Sequence, residues 1–330
     1  MGEWRMVSGE RCGPRFSGDS WATGKWGRAD STGVFRRLRR ESGMNCVRFA
    51  LQARYVKPSL DACVAEGFDL KGPKFWAATH SPETTYRDLL DECRQEGFEP
   101  IVTLLTSEEQ RPTGTGSQPA YLGAPVGRWQ VPVPKTLAEL IAWEAYCEEV
   151  AAYLESAWPG LVRRFEIWNG FQGCGTPAAF SLIVRHAAHG VRRATPDVKL
   201  LPNPAGMSPP GDPERKRRLV HLFQHCADCV DGVSYQVSSR NESQVARSLP
   251  RQIRRWAEEL TGRESLEVWQ TRWRPTPPKT PDPSDSAQVP STAALAAARR
   301  HQIADGLTGI LHANLFGAAT RHYEAYTREG

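Results

Sequence analysis

Long hydrophobic runs are missing from this sequence. No stretch of its 330 residues approaches the about 18 consecutive apolar positions of a membrane-spanning helix, so no membrane role is expected. The first residues, MGEWRMVSGER, are charged and carry no apolar core, so no signal peptide is visible and the chain reads as cytoplasmic. An excess of one charge is missing too. Against 37 Asp+Glu stand 42 Lys+Arg, and the net charge of +5 is too weak a field to argue for nucleic acid. The basic runs at 36–40, 215–218, 251–255 and 299–300 are interleaved with apolar residues on helical patterns, as solvated helix faces are. Cysteine is sparse: the 8 residues are scattered rather than packed into the framework of a small secreted domain, so free thiols are expected. No glycine fingerprint follows an early strand, and neither G-x-S-x-G nor H-E-x-x-H occurs. No cofactor is implied.

What is present is an alternation. The runs 45–51 (NCVRFAL), 99–105 (EPIVTLL), 164–169 (RFEIWN), 198–203 (VKLLPN), 231–237 (DGVSYQV), 266–272 (LEVWQTR) and 307–313 (LTGILHA) are short and nearly continuous in hydrophobicity. Parallel strands covered on both faces have this character. Helical patterns lie between them at 81–97, 136–157, 176–194, 212–229, 242–261 and 291–305, and a short last helix at 316–330. An eighth strand is placed at 4–9, ahead of the others. Strand then helix, repeated, predicts βαβ units. Eight of them close into an α/β fold of the (β/α)8, or TIM, barrel type, here a single domain over 1–330. Long connections at about 107–135 and 273–290 leave the C-terminal ends of their strands, where such barrels carry their sites.

Several short motifs occur in a recognisable order. Gly43-Met44-Asn45-Cys46-Val47-Arg48 resembles the G-x-N-x-V-R of the second strand of clan A glycoside hydrolases, nearest the family 5 and family 39 types. Trp168-Asn169 resembles the start of their fourth-strand W-N-E, and Thr176-Pro177 the helix start that follows. Thr195-Pro196-Asp197-Val198-Lys199 resembles the entry to the fifth strand, Asp231-Gly232-Val233-Ser234 the entry to the sixth, and Val268-Trp269-Gln270-Thr271 the seventh-strand V-W-x-T-E. The resemblance implies a barrel whose C-terminal face binds saccharide. The two carboxylates that it implies are missing. Gly170 stands where the acid/base Glu follows W-N, and Arg272 where the nucleophilic Glu follows the seventh-strand Thr. Retaining hydrolysis needs two carboxyls about 5–5.5 Å apart, so this carry-over gives no catalytic pair.

Other carboxylates lie near the two vacant positions. Glu166 shares a face with Gly170 but lies roughly 13 Å deeper along the strand. Glu267 is on the opposite face from Arg272 and roughly 16 Å away. Glu108 and Glu109, just past the third strand, remain as relocated carboxylates. The ligand-binding candidates are Arg48, Trp168, Asn169, Asn203, Tyr235, Gln236, Trp269, Arg272 and Trp273, with Trp129 a further rim aromatic. Arg48 and Arg272 together would make the pocket positive, and Arg272 would pair with a rim carboxylate or bind an anion. His221, His225, Cys226 and Cys229 share a broad face of one helix, which reads as packing rather than as a metal site. Three functions stay open: a degenerate barrel binding a saccharide, an anionic small ligand or a protein partner; an active glycosidase using Glu108 or Glu109; and a scaffold that uses the barrel only as structure.

Overall fold

The computed structural model describes residues 36, 46–52, 86–106, 133–168, 174–204, 213–239, 242–275 and 309–310. The expected elements at 4–9, 291–305 and 316–330 lie outside them, as do residues 107–132 and 276–290 of the two long connections. The strands are β1 (Cys46–Gln52), β2 (Glu99–Leu105), β3 (Arg164–Ile167), β4 (Lys199–Pro202), β5 (Gly232–Ser239), β6 (Glu267–Pro275) and β7 (Gly309–Ile310). Between them run α1 (Tyr86–Glu96), α2 (Leu137–Ala157), α3 (Pro177–Ala194), α4 (Pro213–Cys226) and α5 (Glu242–Thr261).

Every hydrogen-bonded strand pair is parallel and follows chain order, β1-β2-β3-β4 in one sheet and β5-β6-β7 in the other. The sheets meet at Asp231. Its N–H donates to the Leu200 carbonyl at 3.0 Å, and its carboxylate accepts the Leu200 N–H at 2.9 Å. Parallel strands wound in one direction, each of the first five followed by a helix, make the (β/α)8 barrel, of which seven strands lie among the described residues.

Local chemistry sets the helix starts. Thr136 caps α2 through a capping box, its hydroxyl accepting the Glu139 N–H while the Glu139 carboxylate accepts the Thr136 N–H. Thr176 caps α3 with Pro177 in the first turn. Two ends fall short of the sequence expectation. β3 stops at Ile167 rather than 169 because Trp168 turns into the left-handed region at φ 70°. α4 stops at Cys226 rather than 229 because residues 227–229 form a turn, closed by the Cys229 N–H on the Cys226 carbonyl at 3.0 Å.

The alternation of strand side chains divides the core in two. One set, including Val47, Val102, Leu104, Phe165, Ile167, Leu200, Val233 and Val268, packs outward on Trp143, Tyr146, Ile183, Leu222 and Phe223 of the helices. The other points into the barrel. α2 and α3 approach most closely at Gly190, where a Cβ would lie 2.2 Å from the Glu144 carbonyl oxygen. Gly190→Ala therefore forces the two backbones apart. We expect a loss of about 3 kcal/mol, measured as a lower urea midpoint at unchanged slope.

Candidate functional site

The inward side chains stack in three tiers. At the N-terminal end of the strands Arg164 donates to Glu267 from Nε at 2.8 Å and Nη2 at 2.9 Å, and also donates to Glu99. Its guanidinium lies 5.1 Å from the centre of the Trp269 ring, and the Trp269 indole N–H donates to Glu267 at 2.8 Å. Burial works against the Arg164 charge, but the hydrogen bonds and charges of Glu267 and Glu99 outweigh it and hold the guanidinium protonated. Above this tier Cys46, Ile101, Leu201 and Trp269 form a small apolar cluster.

The third tier, toward the C-terminal ends, is polar and centred on Glu166 of β3, which has no solvent exposure. Its Oε2 accepts from Arg48 of β1, at 2.6 Å from Nε and 2.5 Å from Nη2, and from the Thr103 hydroxyl of β2 at 2.7 Å. Its Oε1 accepts from the Ser234 hydroxyl of β5 at 2.6 Å, the Thr271 hydroxyl of β6 at 2.7 Å and Asn203 Nδ2, just past β4, at 3.0 Å. One carboxylate thus gathers side chains from five other chain segments. A carboxylate offers about four acceptor sites, and these donors fill them. Glu166 can neutralise and orient in this state; it has no free lone pair with which to attack a carbon or take a proton. Asn203 Oδ1 is buried and has no hydrogen-bond partner among the described residues.

The structure redistributes the residues expected at the mouth. Arg48 is fully buried and held by Glu166, so it does not make the pocket positive: its charge is compensated inside the barrel. Trp168 is 4% exposed and packs edge-on against Trp143 of α2, at 5.7 Å and 84°, instead of standing free at the rim. Trp269 points into the barrel but two tiers below the mouth, over Arg164. Tyr235 faces the helices, its hydroxyl 3.3 Å from Gln270 Oε1, and burial raises its ionisation well above the ordinary tyrosine value. The reason is period 2: on β5, Gly232 and Ser234 face in, so Tyr235 faces out. A register shift between Tyr235 and Gln236 then sets Gln236 beside Arg272 and Val237 beside Trp273. The side chains of Gln236, Arg272 and Trp273, and the whole of Glu108, Glu109, Trp129, Asn169 and Gly170, lie outside the described set. Asn203, just past β4, is buried with its Nδ2 on Glu166.

The sequence reading passed over Glu166 as too deep. Its signal was there, an acid within the apolar run RFEIW matched by a base within NCVRFAL. On the outer helices the Cys226 thiol lies against the Ser181 carbonyl at 3.5 Å, and His221 Nδ1 is 3.1 Å from the Ser181 hydroxyl. Among the described residues no group of three or more His, Cys, Asp or Glu side chains is placed to hold a metal ion, and no described helix is long and apolar enough to cross a membrane. A cavity of about 520 Å³ opens at the opposite, N-terminal face, lined by Glu155, Arg163, Thr195, Asp197, Lys199 and Glu267 among others.

This geometry defines the class: a parallel barrel with a buried polar tier under its C-terminal face. No protein-family model and no curated protein sequence matches the chain. Solved structures do. A glucosidase from Croceicoccus marinus superposes with a TM-score of 0.54 at 16% identity, covering 84% of this chain and 55% of that one. A family 39 glycoside hydrolase from Bacteroides cellulosilyticus WH2 gives 0.54 at 16%, covering 84% and 52%. The exo-β-1,4-mannosidase Op5Man5 from Opitutaceae bacterium strain TAV5 gives 0.55 at 14%, covering 94% and 53%. The chain spans about half the length of these structures. At such identity the likeness is one of fold, that of the TIM-barrel glycoside hydrolases.

Proposed function

We propose that this chain is a glycoside-hydrolase-like barrel that binds a saccharide and does not hydrolyse it. The observation that carries the reading is the state of Glu166: the carboxylate nearest the mouth on β3 is consumed by Arg48, Thr103, Asn203, Ser234 and Thr271. Gly170 and Arg272 at the two positions of the implied catalytic pair agree with it. A hydroxylated ligand suits the tier better than an anion. The Arg48 charge is already compensated, and the buried Asn203 Oδ1 is an acceptor that a hydroxyl satisfies and an anion does not.

The test is reducing-end release from a panel of oligosaccharides and aryl glycosides at high protein concentration. The same panel is then scored by thermal shift. We expect no turnover and a raised Tm with at least one saccharide. Turnover would overturn the reading. Its loss in Glu108→Gln or Glu109→Gln would then assign a relocated carboxylate. A Tm raised by sugar phosphates or uronates alone would replace the saccharide with an anion, and no shift with any ligand would favour a scaffold.

A further inference from the structure

Two cysteines lie apart from the barrel interior, at the C-terminal end of α4. Cys226 is the last residue of the helix, and its carbonyl accepts the Cys229 N–H at 3.0 Å. A turn closed in this way keeps its end Cα atoms within about 7 Å, and disulfides bridge Cα separations of about 4.4–6.8 Å. The Cys229 thiol donates to the Cys226 carbonyl at 3.4 Å. Cys226 is buried, and Cys229 is partly exposed and is the member of the pair open to solvent.

The surroundings favour charge on one of the two sulfurs. The neighbouring Cys229 side chain holds the Cys226 thiol below its ordinary value, against burial, and the Ser181 side chain and the Arg185 charge add to it. The Cys226 side chain and burial push the Cys229 thiol far up. Arg185 is fixed by the Asp228 carboxylate at 2.9 and 3.0 Å and reaches the His225 carbonyl. Cys93 and Cys147 are pushed well up by burial, so a reactive thiolate is not general to this chain.

We propose that Cys226 and Cys229 are an oxidation site at which hydrogen peroxide joins the two sulfurs in a disulfide. The Cys226 thiolate attacks one peroxide oxygen; the O–O bond breaks, and the leaving hydroxide takes up the proton that Cys226 has released. Cys226 is then a sulfenic acid. The Cys229 sulfur attacks the Cys226 sulfur, the S–O bond breaks, and the departing hydroxide leaves as water with the Cys229 proton. Two electrons pass to the peroxide, which ends as two waters. Cys226 attacks and Cys229 resolves. In the product the Ser181 carbonyl of α3 has lost the Cys226 S–H, so oxidation loosens the contact between α3 and α4 at this end.

The full chain is treated under native conditions with a small excess of hydrogen peroxide. It is then alkylated under denaturant and mapped by mass spectrometry. The expected product is a reductant-reversible bridge, a mass loss of about 2 Da on the peptide or peptides carrying Cys226 and Cys229, with Cys93 and Cys147 fully alkylated. In Cys229→Ser, oxidation should stop at a sulfenic acid on Cys226 that dimedone traps. In Cys226→Ser, trapping at Cys229 should be about tenfold slower or more. Both thiols remaining alkylatable in the unsubstituted chain, or Cys93 and Cys147 oxidising as fast, would overturn the proposal. The unsubstituted chain supplies the main readout, so it does not depend on the variants folding.

Discussion

Glu166→Ala lowers stability by about 3–5 kcal/mol and Tm by about 5–15 °C, the largest loss expected of any single side chain in this barrel. The substitution removes the carboxylate that neutralises a guanidinium with no solvent exposure, and takes the shared acceptor from Thr103, Asn203, Ser234 and Thr271 at once. Arg48→Met alone leaves the complementary defect, a buried anion held by neutral donors. The double variant Arg48→Met with Glu166→Leu should therefore be more stable than the sum of the two single losses predicts, because both charges leave together. It should not recover fully, since the hydroxyls and the amide still lack their acceptor. Chemical denaturation of the four proteins checks this. Single losses under about 1 kcal/mol, or strict additivity, would show that Glu166 is not the hub described.

Arg164→Met has the second largest expected effect, about 2–4 kcal/mol. Arg164 stands between two carboxylates that are themselves little exposed, Glu99 at 18% and Glu267 at 15%. Without the guanidinium the two acids face each other across the base of the barrel. Arg164→Lys should recover only part of the loss, because one ammonium does not reproduce the fork that reaches both acids and covers the Trp269 ring. The sign of the pH dependence follows. In the methionine variant, mutual repulsion makes the folded state bind protons more tightly than the unfolded one. Folding is then favoured as pH falls through the carboxylate range, so the gap between parent and variant narrows on acidification. Tm measured for both between about pH 4 and 8 tests it, and a gap that widens toward low pH would falsify this account.

Much of the architecture was legible in the linear sequence. The run EPIVTLL is β2 residue for residue, and Thr176-Pro177 opens α3 as its capping chemistry requires. Such features are local, decided by residues within a few positions of one another. Where the sequence reading was off by a residue or two, the cause was a backbone choice that composition does not reveal, such as the left-handed Trp168 that ends β3. The mouth was less legible. Tyr235 and Trp269 are aromatic residues in the sixth- and seventh-strand motifs, and the resemblance marked both as ligand-binding candidates. Their facing depends on the phase of the alternation and on the register of β5 against β6, which shifts after Tyr235.

By itself, then, the sequence determined the parallel alternation and the Thr176-Pro177 opening of α3. Only the tertiary structure decided what the remaining charges do. Arg48 and Glu166 are 118 positions apart, and Arg164 and Glu267 are 103 apart. Each strand's periodicity says which of its residues point inward, but not which residues of other strands stand at the same height. That height is set by the stagger of the strands around the barrel. The stagger brings a base and an acid that each look misplaced in an apolar strand, Arg48 and Glu166, to within hydrogen-bonding distance.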